Sequence, residues 1–151
     1  MGAVREPTLY KCAASYAGVT DLQLMFKTGD IRYSNMGRVY LQESLGEDAE
    51  DLKARSPVSH VDAIQIPILI VHGKEDWRAD FEHATRMRDA LEKAHKDVEF
   101  VPLSFEGHGA YDEQTRVAVY AKLLDFLAKH LQGGQAYSLA IAIRMSRMCR
   151  R

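Results

Sequence analysis

The chain has 151 residues, of which 46% are hydrophobic and 27% are charged. This composition fits one folded globular domain and excludes a disordered chain, which would have fewer apolar residues and a larger charge imbalance. No uninterrupted apolar stretch is longer than Leu139–Ile143, which is far shorter than the roughly 20 residues that a membrane-spanning helix needs. We therefore expect no transmembrane segment.

The charges are unevenly distributed along the chain. The 20 Lys and Arg residues nearly balance the 21 Asp and Glu residues, but residues 132–151 contain four arginines and no acid. Residues 1–131 therefore carry 16 basic and 21 acidic residues. Nucleic acid binding depends on clustered Lys and Arg that neutralise phosphates. A nucleic acid partner is not expected.

The ends of the chain carry few signals. Met1 is not followed by a basic and then apolar leader, which favours a cytoplasmic protein unless Met1 is an internal residue of a longer chain. Cys12 and Cys149 lie far apart in the sequence and form neither a CxxC pair nor a Cys/His ligand spacing. We expect no disulfide framework, no zinc site and no other cofactor.

Three short apolar runs predict strands at residues 11–18, 66–73 and 98–103. The second run, IPILIVHG, is the clearest, because its unbroken β-branched and Leu content is typical of a strand buried on both faces of a parallel sheet. Residues 20–46 have weak periodicity and several polar or Gly breaks, so we predict a loop there with one helical turn at Leu22–Phe26.

Three helices are predicted between and after these strands. A charged helix at residues 47–54 ends before Pro57, which disfavours a helical residue in front of it. Apolar residues recur at helical spacing over 81–95, with Asp80 as the N-cap. A last helix covers 114–131, and its predicted apolar stripe consists of Tyr120, Leu123, Leu124, Leu127 and Leu131.

The alternation of strands and helices predicts an α/β fold with a parallel sheet and crossover helices. We predict one unit over residues 1–131. Gly133 and Gly134 indicate a boundary, beyond which residues 132–151 form a short basic tail that we expect to be loosely ordered. In such sheets, ligands bind beyond the carboxyl ends of the strands. The loops Gly73–Asp80 and Ser104–Asp112 follow two of the predicted strands, so we expect functional residues in them.

Asp76 and His108 lie in these two loops, after neighbouring predicted strands. A carboxylate at that edge can accept the Nδ1 proton of an imidazole and stabilise its cation. Glycines on both sides of His108 permit a tight turn. From this pattern alone, the alternatives stay open: Asp76 can be a turn residue, His108 a loop residue, or both can join His72 as metal ligands. His72, at the end of a buried strand, is more typical of a core histidine.

Longer stretches around these residues are similar to a known family. RSPVSHVDAIQIPILIVHGKEDWRADFEHATRMRDAL at 55–91 and FVPLSFEGHGAYDEQTRVAVYAKLLDFLAKHL at 100–131 carry an HGxxD segment followed by GHG, and MGAVREPTLYKCAASYAGVTDL at 1–22 matches as well. The chain resembles the C-terminal part of an α/β-hydrolase catalytic domain of the prolyl oligopeptidase family, near its acylaminoacyl-peptidase and dipeptidyl-peptidase branches. The resemblance implies a serine peptidase acting on peptide substrates, with Asp76 as the triad acid, His108 as the general base and Arg78 on the substrate backbone.

The sequence departs from the family in two places. Ala79 and Asp80 stand where relatives usually have Val-Pro. No G-x-S-x-G nucleophile elbow occurs, and Ser15, in AASYA, lies within a predicted strand and lacks both glycines. We expect the chain to begin just after the nucleophile and to be inactive alone. The strand at 11–18 would then have an uncovered edge, which predicts self-association; a non-catalytic binding or dimerisation module, using that edge or the basic tail, is the alternative function.

Overall fold

The computed structural model describes residues 1–131 and contains a three-stranded parallel sheet. The strands β1 (Ala13–Tyr16), β2 (Ile68–Gly73) and β3 (Val98–Leu103) lie side by side in their chain order. Ala13 pairs with Ile68, and Ile68 pairs in turn with Val98. The predicted parallel α/β architecture is confirmed. The predicted basic tail, 132–151, lies outside the described residues.

Within residues 1–131, five α-helices surround or extend this sheet: α1 (Gly2–Arg5), α2 (Asn35–Leu45), α3 (Ala49–Ala54), α4 (Glu82–Lys93) and α5 (Glu113–His130). Shorter 3₁₀ helices cover Leu24–Phe26, Ile31–Tyr33 and Pro57–Ala63. The helices α3, α4 and α5 follow the predicted ones within about two residues, the usual uncertainty of helix ends. None of the helices in the described part of the chain is long and apolar enough to cross a membrane.

The central strand β2 separates two apolar layers. All six of its residues are buried, as its unbroken aliphatic sequence predicts. Ile68 and Ile70 pack on one face in a cluster with Met87 and Leu91 of α4. Leu69 and Val71, which alternate with them, pack on the other face in a cluster that includes Phe126 of α5. Because alternate residues of a strand point to opposite faces of the sheet, β2 packs against α4 on one face and against α5 on the other.

The loop predicted over residues 20–46 was wrong, because most of this segment is helical, whereas the helical turn predicted at Leu22–Phe26 is confirmed by the 3₁₀ helix Leu24–Phe26. Helix α2 begins after Ser34, whose hydroxyl accepts the N–H of Gly37 at 2.9 Å and so caps the first turn. Gly37 lies so near the carbonyl of Ile31 that a Cβ there would overlap it. Within α2 only Gly37 and Leu41 are buried. Such a narrow contact leaves almost no apolar periodicity in the sequence, which explains the missed helix.

The stripe predicted for α5 was also partly wrong. Val119 and Phe126 are the buried residues of the helix, and Leu123 and Leu127 are partly buried against the same cluster. Tyr120, Leu124 and Leu131 are instead exposed, with 60%, 47% and 53% of their surface accessible. The helix has apolar side chains on two sides, and the sheet covers only one of them. The N-cap of α4 is Phe81, one residue after the predicted Asp80, whose carboxylate accepts the N–H of Glu82 at 2.9 Å.

Candidate active site

The loops that follow β2 and β3 lie against each other at one edge of the sheet. The N–H of Lys74 donates to the carbonyl of Leu103 at 2.9 Å, and the N–H of Glu75 donates to the carbonyl of Glu106 at 3.0 Å. Gly73 makes this approach possible, because a Cβ at that position would overlap the carbonyl oxygens of Glu106 and Gly107. Parallel strands therefore bring the two predicted loops to one place.

Asp76 lies in the first loop, and its carboxylate is fully buried. One oxygen, Oδ1, accepts the backbone N–H groups of Arg78 at 2.9 Å and Ala79 at 3.0 Å. These bonds hold the carboxylate within its own turn, the pattern by which Asp satisfies nearby backbone donors. The second oxygen, Oδ2, points towards the neighbouring loop.

His108 meets that second oxygen. Its Nδ1 lies 2.8 Å from Oδ2 of Asp76, and its side chain is 38% exposed. A carboxylate partner places the proton on Nδ1 and leaves the lone pair of Nε2 free to accept another proton. Asp76 and His108, which the sequence predicted to lie close together, are in contact, and this geometry is compatible with a general base.

The His108 loop turns in an unexpected way. Neither Gly107 nor Gly109 has a positive φ; the left-handed residue is Phe105, with φ of 62°. A Cβ added at Gly107 or Gly109 would meet the ring of Tyr111 only at ordinary van der Waals distances, 3.8 and 3.5 Å. The chain bends at His108 and Gly109, but neither glycine is required there for a left-handed backbone or for space.

A second imidazole touches the same carboxylate. His72, at the end of β2, is 1% exposed. Its Nε2 lies 2.7 Å from the carbonyl of Ala79 and 3.2 Å from Oδ2 of Asp76. Because the carbonyl can only accept, Nε2 carries a proton and donates it. His72 is therefore a core histidine that also braces the Asp76 turn, a role that the sequence alone did not reveal.

These three residues do not form a metal centre in the described part of the chain. Among residues 1–131, no group of three or more His, Cys, Asp or Glu side chains is arranged to hold a metal ion. His72 and His108 each direct a ring nitrogen at the same carboxylate oxygen, Oδ2 of Asp76, at 3.2 and 2.8 Å. The alternative interpretation as a metal site has no geometric support here.

Glu106 is a buried acid that the sequence analysis did not single out. Its side chain accepts two consecutive backbone N–H groups, from Tyr111 at 2.9 Å and from Asp112 at 3.2 Å. The residue is only 4% exposed. Burial and, second, this carboxylate raise the pKa of Tyr16 at the end of β1. The signal in the sequence that could have identified Glu106 was its position directly before the Gly-His-Gly segment.

Arg78 contributes its backbone and its side chain to different parts of the site. Its N–H is one of the donors to Asp76. Its guanidinium is on the surface, 72% exposed, with Nε 3.9 Å from a carboxylate oxygen of Asp30. An open depression of about 340 Å³ lies beside Asp76, lined among others by Asp30, Tyr33 and Trp77. A role of Arg78 on a substrate stays a prediction.

Ser15 lies in the middle of β1, opposite Ile70, and not at the sheet edge where β2 ends. A nucleophile elbow instead needs a sharp turn after the strand. Ser15 thus has the extended strand setting that its sequence predicted.

The fold and this constellation define a class of protein, the α/β-hydrolases. The chain belongs to the prolyl oligopeptidase family, whose sequence pattern matches residues 1–134. It is 26% identical over 140 residues to dipeptidyl aminopeptidase BIII of Pseudoxanthomonas mexicana, covering 89% of this chain and 20% of that protein. It is 29% identical over 85 residues to the uncharacterized peptidase YtmA of Bacillus subtilis, covering 56% of this chain and 33% of that one.

Solved structures show the same fold. An acylaminoacyl peptidase of Pyrococcus horikoshii superposes with a TM-score of 0.78 at 20% identity, over 89% of this chain and 22% of that one. A puromycin-hydrolyzing peptidase of Mycobacterium tuberculosis gives a TM-score of 0.76 at 24% identity, over 86% and 20%. The 151 residues span a third or less of the length of these relatives and structures.

Proposed function

We propose that this chain supplies the acid and the general base of a serine-type peptidase, with Asp76 as the acid and His108 as the base. The contact that carries the proposal is the 2.8 Å approach of His108 Nδ1 to Asp76 Oδ2. Membership of a peptidase family supports a peptide substrate. The substrate, the reaction and these roles are those of the larger enzyme to which the chain corresponds.

The chemistry follows from the orientation of the imidazole. Nε2 of His108 takes the proton of a serine hydroxyl as it attacks the peptide carbonyl, and later gives that proton to the leaving amine. Asp76 stays ionised and stabilises the imidazolium in between. Its two backbone donors and His72 hold the carboxylate in place, so it does not have to reorganise during the transfer.

The nucleophile is not among these 151 residues. None of the eight serines of the sequence lies in a G-x-S-x-G pentapeptide. We therefore propose that the chain alone does not hydrolyse peptides, because members of a triad act as a unit and an isolated acid–base pair retains little of their effect.

A fluorophosphonate probe tests both parts of the proposal. The chain alone is expected to stay unlabelled, whereas a version preceded by an α/β-hydrolase segment bearing the elbow serine is expected to be labelled. In that version, Asp76→Asn and His108→Ala should each slow labelling by about 10³-fold or more. His95→Asn, at an exposed position two residues beyond the end of α4, is the control and should label at the parent rate.

Two results would contradict the proposal. Labelling of the 151-residue chain by itself would mean that a serine within it is the nucleophile. Unchanged labelling of the His108→Ala variant would remove His108 from the mechanism.

For Arg78 we propose a contact with the substrate backbone. Its guanidinium is exposed and its nearest carboxylate, on Asp30, is at the limit of an ion pair, so it is available to a ligand. In the extended version, Arg78→Ala should raise KM for a peptide substrate more than it lowers kcat, whereas Asp30→Ala should leave both nearly unchanged. Equal effects of the two variants would indicate a structural ion pair instead.

A second candidate function is self-association through β1. Within residues 1–131, β1 pairs only with β2, and Ala14 and Tyr16 are exposed along it. An apolar depression of about 360 Å³ lies between this strand and α5. A defined oligomer in sedimentation experiments supports this function, and a monomer at all concentrations contradicts it. Removal of the basic tail, 132–151, should change association and not folding if the tail takes part.

A further inference from the structure

Glu106 is a buried charge that the proposed acid–base chemistry does not use. It lies two residues before His108. Its carboxylate accepts the N–H groups of Tyr111 and Asp112, which lie three and four residues after His108. The side chain therefore spans the loop that carries the base. Its own carbonyl accepts the N–H of Glu75, which links it to the loop of Asp76.

Little else fixes the backbone around His108. Within the described part of the chain, residues 107–109 make no backbone–backbone hydrogen bond. The ring of Tyr111 packs near Gly107 and Gly109 but is itself 74% exposed. The shortest anchors of the loop are thus the contact of His108 with Asp76 and the paired bonds to Glu106. Arg116 adds longer contacts to the carbonyls of Ala110 and Tyr111, at 3.5 and 3.4 Å.

The carboxylate is well suited to this place. Asp112 is the N-cap of α5, so the two donors lie at the positive end of an 18-residue helix. A carboxylate that accepts backbone N–H groups at a helix N-terminus is stabilised by the hydrogen bonds and by the helix dipole. A neutral side chain of the same shape loses that stabilisation, and Gln also presents a donor where two donors already point inward.

We propose that Glu106 is a positioning residue for His108. By joining both ends of the loop, it keeps Nδ1 of His108 on Asp76 and so holds the imidazole with its proton on Nδ1 and its Nε2 free. The inference rests on the proposed acid–base function, and it acts through the loop backbone, without contact between Glu106 and the reacting atoms.

The tautomer of His108 is the measurement that separates positioning from simple stabilisation. In the full chain, labelled at the imidazole nitrogens, NMR should show the Nδ1–H form of neutral His108. Glu106→Ala should lower the ratio of the Nδ1–H to the Nε2–H form by about tenfold, which corresponds to the loss of one charge-assisted hydrogen bond. Glu106→Gln, which can accept only one of the two N–H groups well, should give an intermediate ratio.

Asp112→Ala is the matched control. Asp112 caps the same helix end by accepting the N–H of Thr115 at 2.8 Å, but this bond lies outside the loop. The variant should lose stability and keep the wild-type tautomer ratio. If Glu106→Ala keeps that ratio as well, or does not fold and Glu106→Gln keeps it, Glu106 is only structural and the inference is overturned.

A further variant separates this inference from the proposed function. Asp76→Asn should abolish the preference for the Nδ1–H form. If it does not, the acid–base pair itself is wrong. If it does, and the Glu106 variants leave the ratio unchanged, the pair stands and only the role of Glu106 fails.

Discussion

Both carboxylate oxygens of Asp76 have hydrogen-bonding partners. Oδ1 accepts two backbone N–H groups of its own turn, and Oδ2 lies between the imidazoles of His72 and His108. A buried charge needs such compensation, because an unpaired carboxylate would be strongly destabilising in this position. The site is therefore built around one buried carboxylate with several partners and one imidazole that is partly exposed.

Substitution by alanine is predicted to reduce stability strongly at Gly73 and only slightly at Gly107. Gly73→Ala should destabilise the fold by about 3 kcal/mol, because its Cβ meets two backbone carbonyls that cannot move without separating the loops. Gly107→Ala should change stability by less than about 1 kcal/mol, because its nearest neighbours are at 3.6 and 3.8 Å. Urea unfolding checks both, and equal losses would contradict the close contact of the two loops.

His83 should make stability depend on pH. Burial, the largest cause, lowers its pKa from the ordinary 6.5, and its Nδ1 accepts the N–H groups of Thr20 and Asp21 at 3.4 Å. Protonation of Nδ1 would lose both contacts. The pKa of His83 is lower in the folded chain than in the unfolded chain. The stabilising contribution of neutral His83 is therefore complete above pH 6.5 and is lost as pH falls through the pKa of the folded chain.

The test compares the urea midpoint above and below pH 6.5 in the parent and in His83→Asn, whose amide oxygen can accept the same N–H groups. The parent should lose more stability on acidification than the variant. Identical losses would show that His83 does not titrate differently in the folded chain.

At the scale of the elements, α5 is attached to the sheet by charge as well as by apolar contact. Glu99 of β3 lies 2.6 Å from Lys122 and 2.9 Å from Lys129. These lysines, Lys122 first, lower the pKa of Glu99 from 4.5 to about 2. The pairs bridge one helix and one edge strand, next to the face where Phe126 is buried.

We predict that the ion pairs of Glu99 with Lys122 and Lys129 lose their contribution to stability in acid. Because the folded pKa of Glu99 is lowered, its contribution is complete above pH 4.5 and disappears as pH falls towards 2. The lysines are 42% and 59% exposed. Solvent screening therefore limits the contribution to about 1 kcal/mol. Glu99→Gln should lose that amount at neutral pH and little more on acidification, as followed by thermal unfolding at several pH values; an acid sensitivity equal to the parent's would contradict the assignment.

At the scale of the whole molecule, the described residues leave the outer sides of both β1 and β3 unpaired, and the edge at β1 lies beside an apolar depression. The outer side of β1 presents backbone donors and acceptors, and Tyr120 of α5, which lines the apolar depression beside this strand, is exposed. A free edge next to apolar surface favours pairing with another chain. This arrangement is what the proposed self-association depends on.

A charge on that edge should therefore weaken association. Ala14→Lys is expected to weaken self-association by about tenfold or more, because two copies would bring like charges together. Met36→Lys, on the exposed side of α2 with 85% of Met36 accessible, is the control for added charge and should have little effect. Sedimentation equilibrium measures both, and equal effects of the two variants would place the contact elsewhere.

Several features of this protein followed from its sequence. The unbroken aliphatic run of β2 requires burial on both faces, and alternation of strands with helices then gives a parallel sheet. The same order brings residues after β2 and β3 to one edge, which is why the contact between Asp76 and His108 was predictable from two motifs 32 positions apart. Each of these inferences needs only local periodicity and the geometry of parallel strands.

Other features were decided by tertiary contacts. Helix α2 is held by a cap and one buried leucine, and α5 has apolar residues on two sides, so neither sequence shows which side is covered. The roles of His72 and Glu106 depend on backbone groups that a sequence pattern does not display: the carbonyl of Ala79, and the N–H groups of Tyr111 and Asp112. A side chain's type can be read from the sequence, but its partners are fixed only when the folded chain brings distant backbone donors and acceptors within hydrogen-bonding distance.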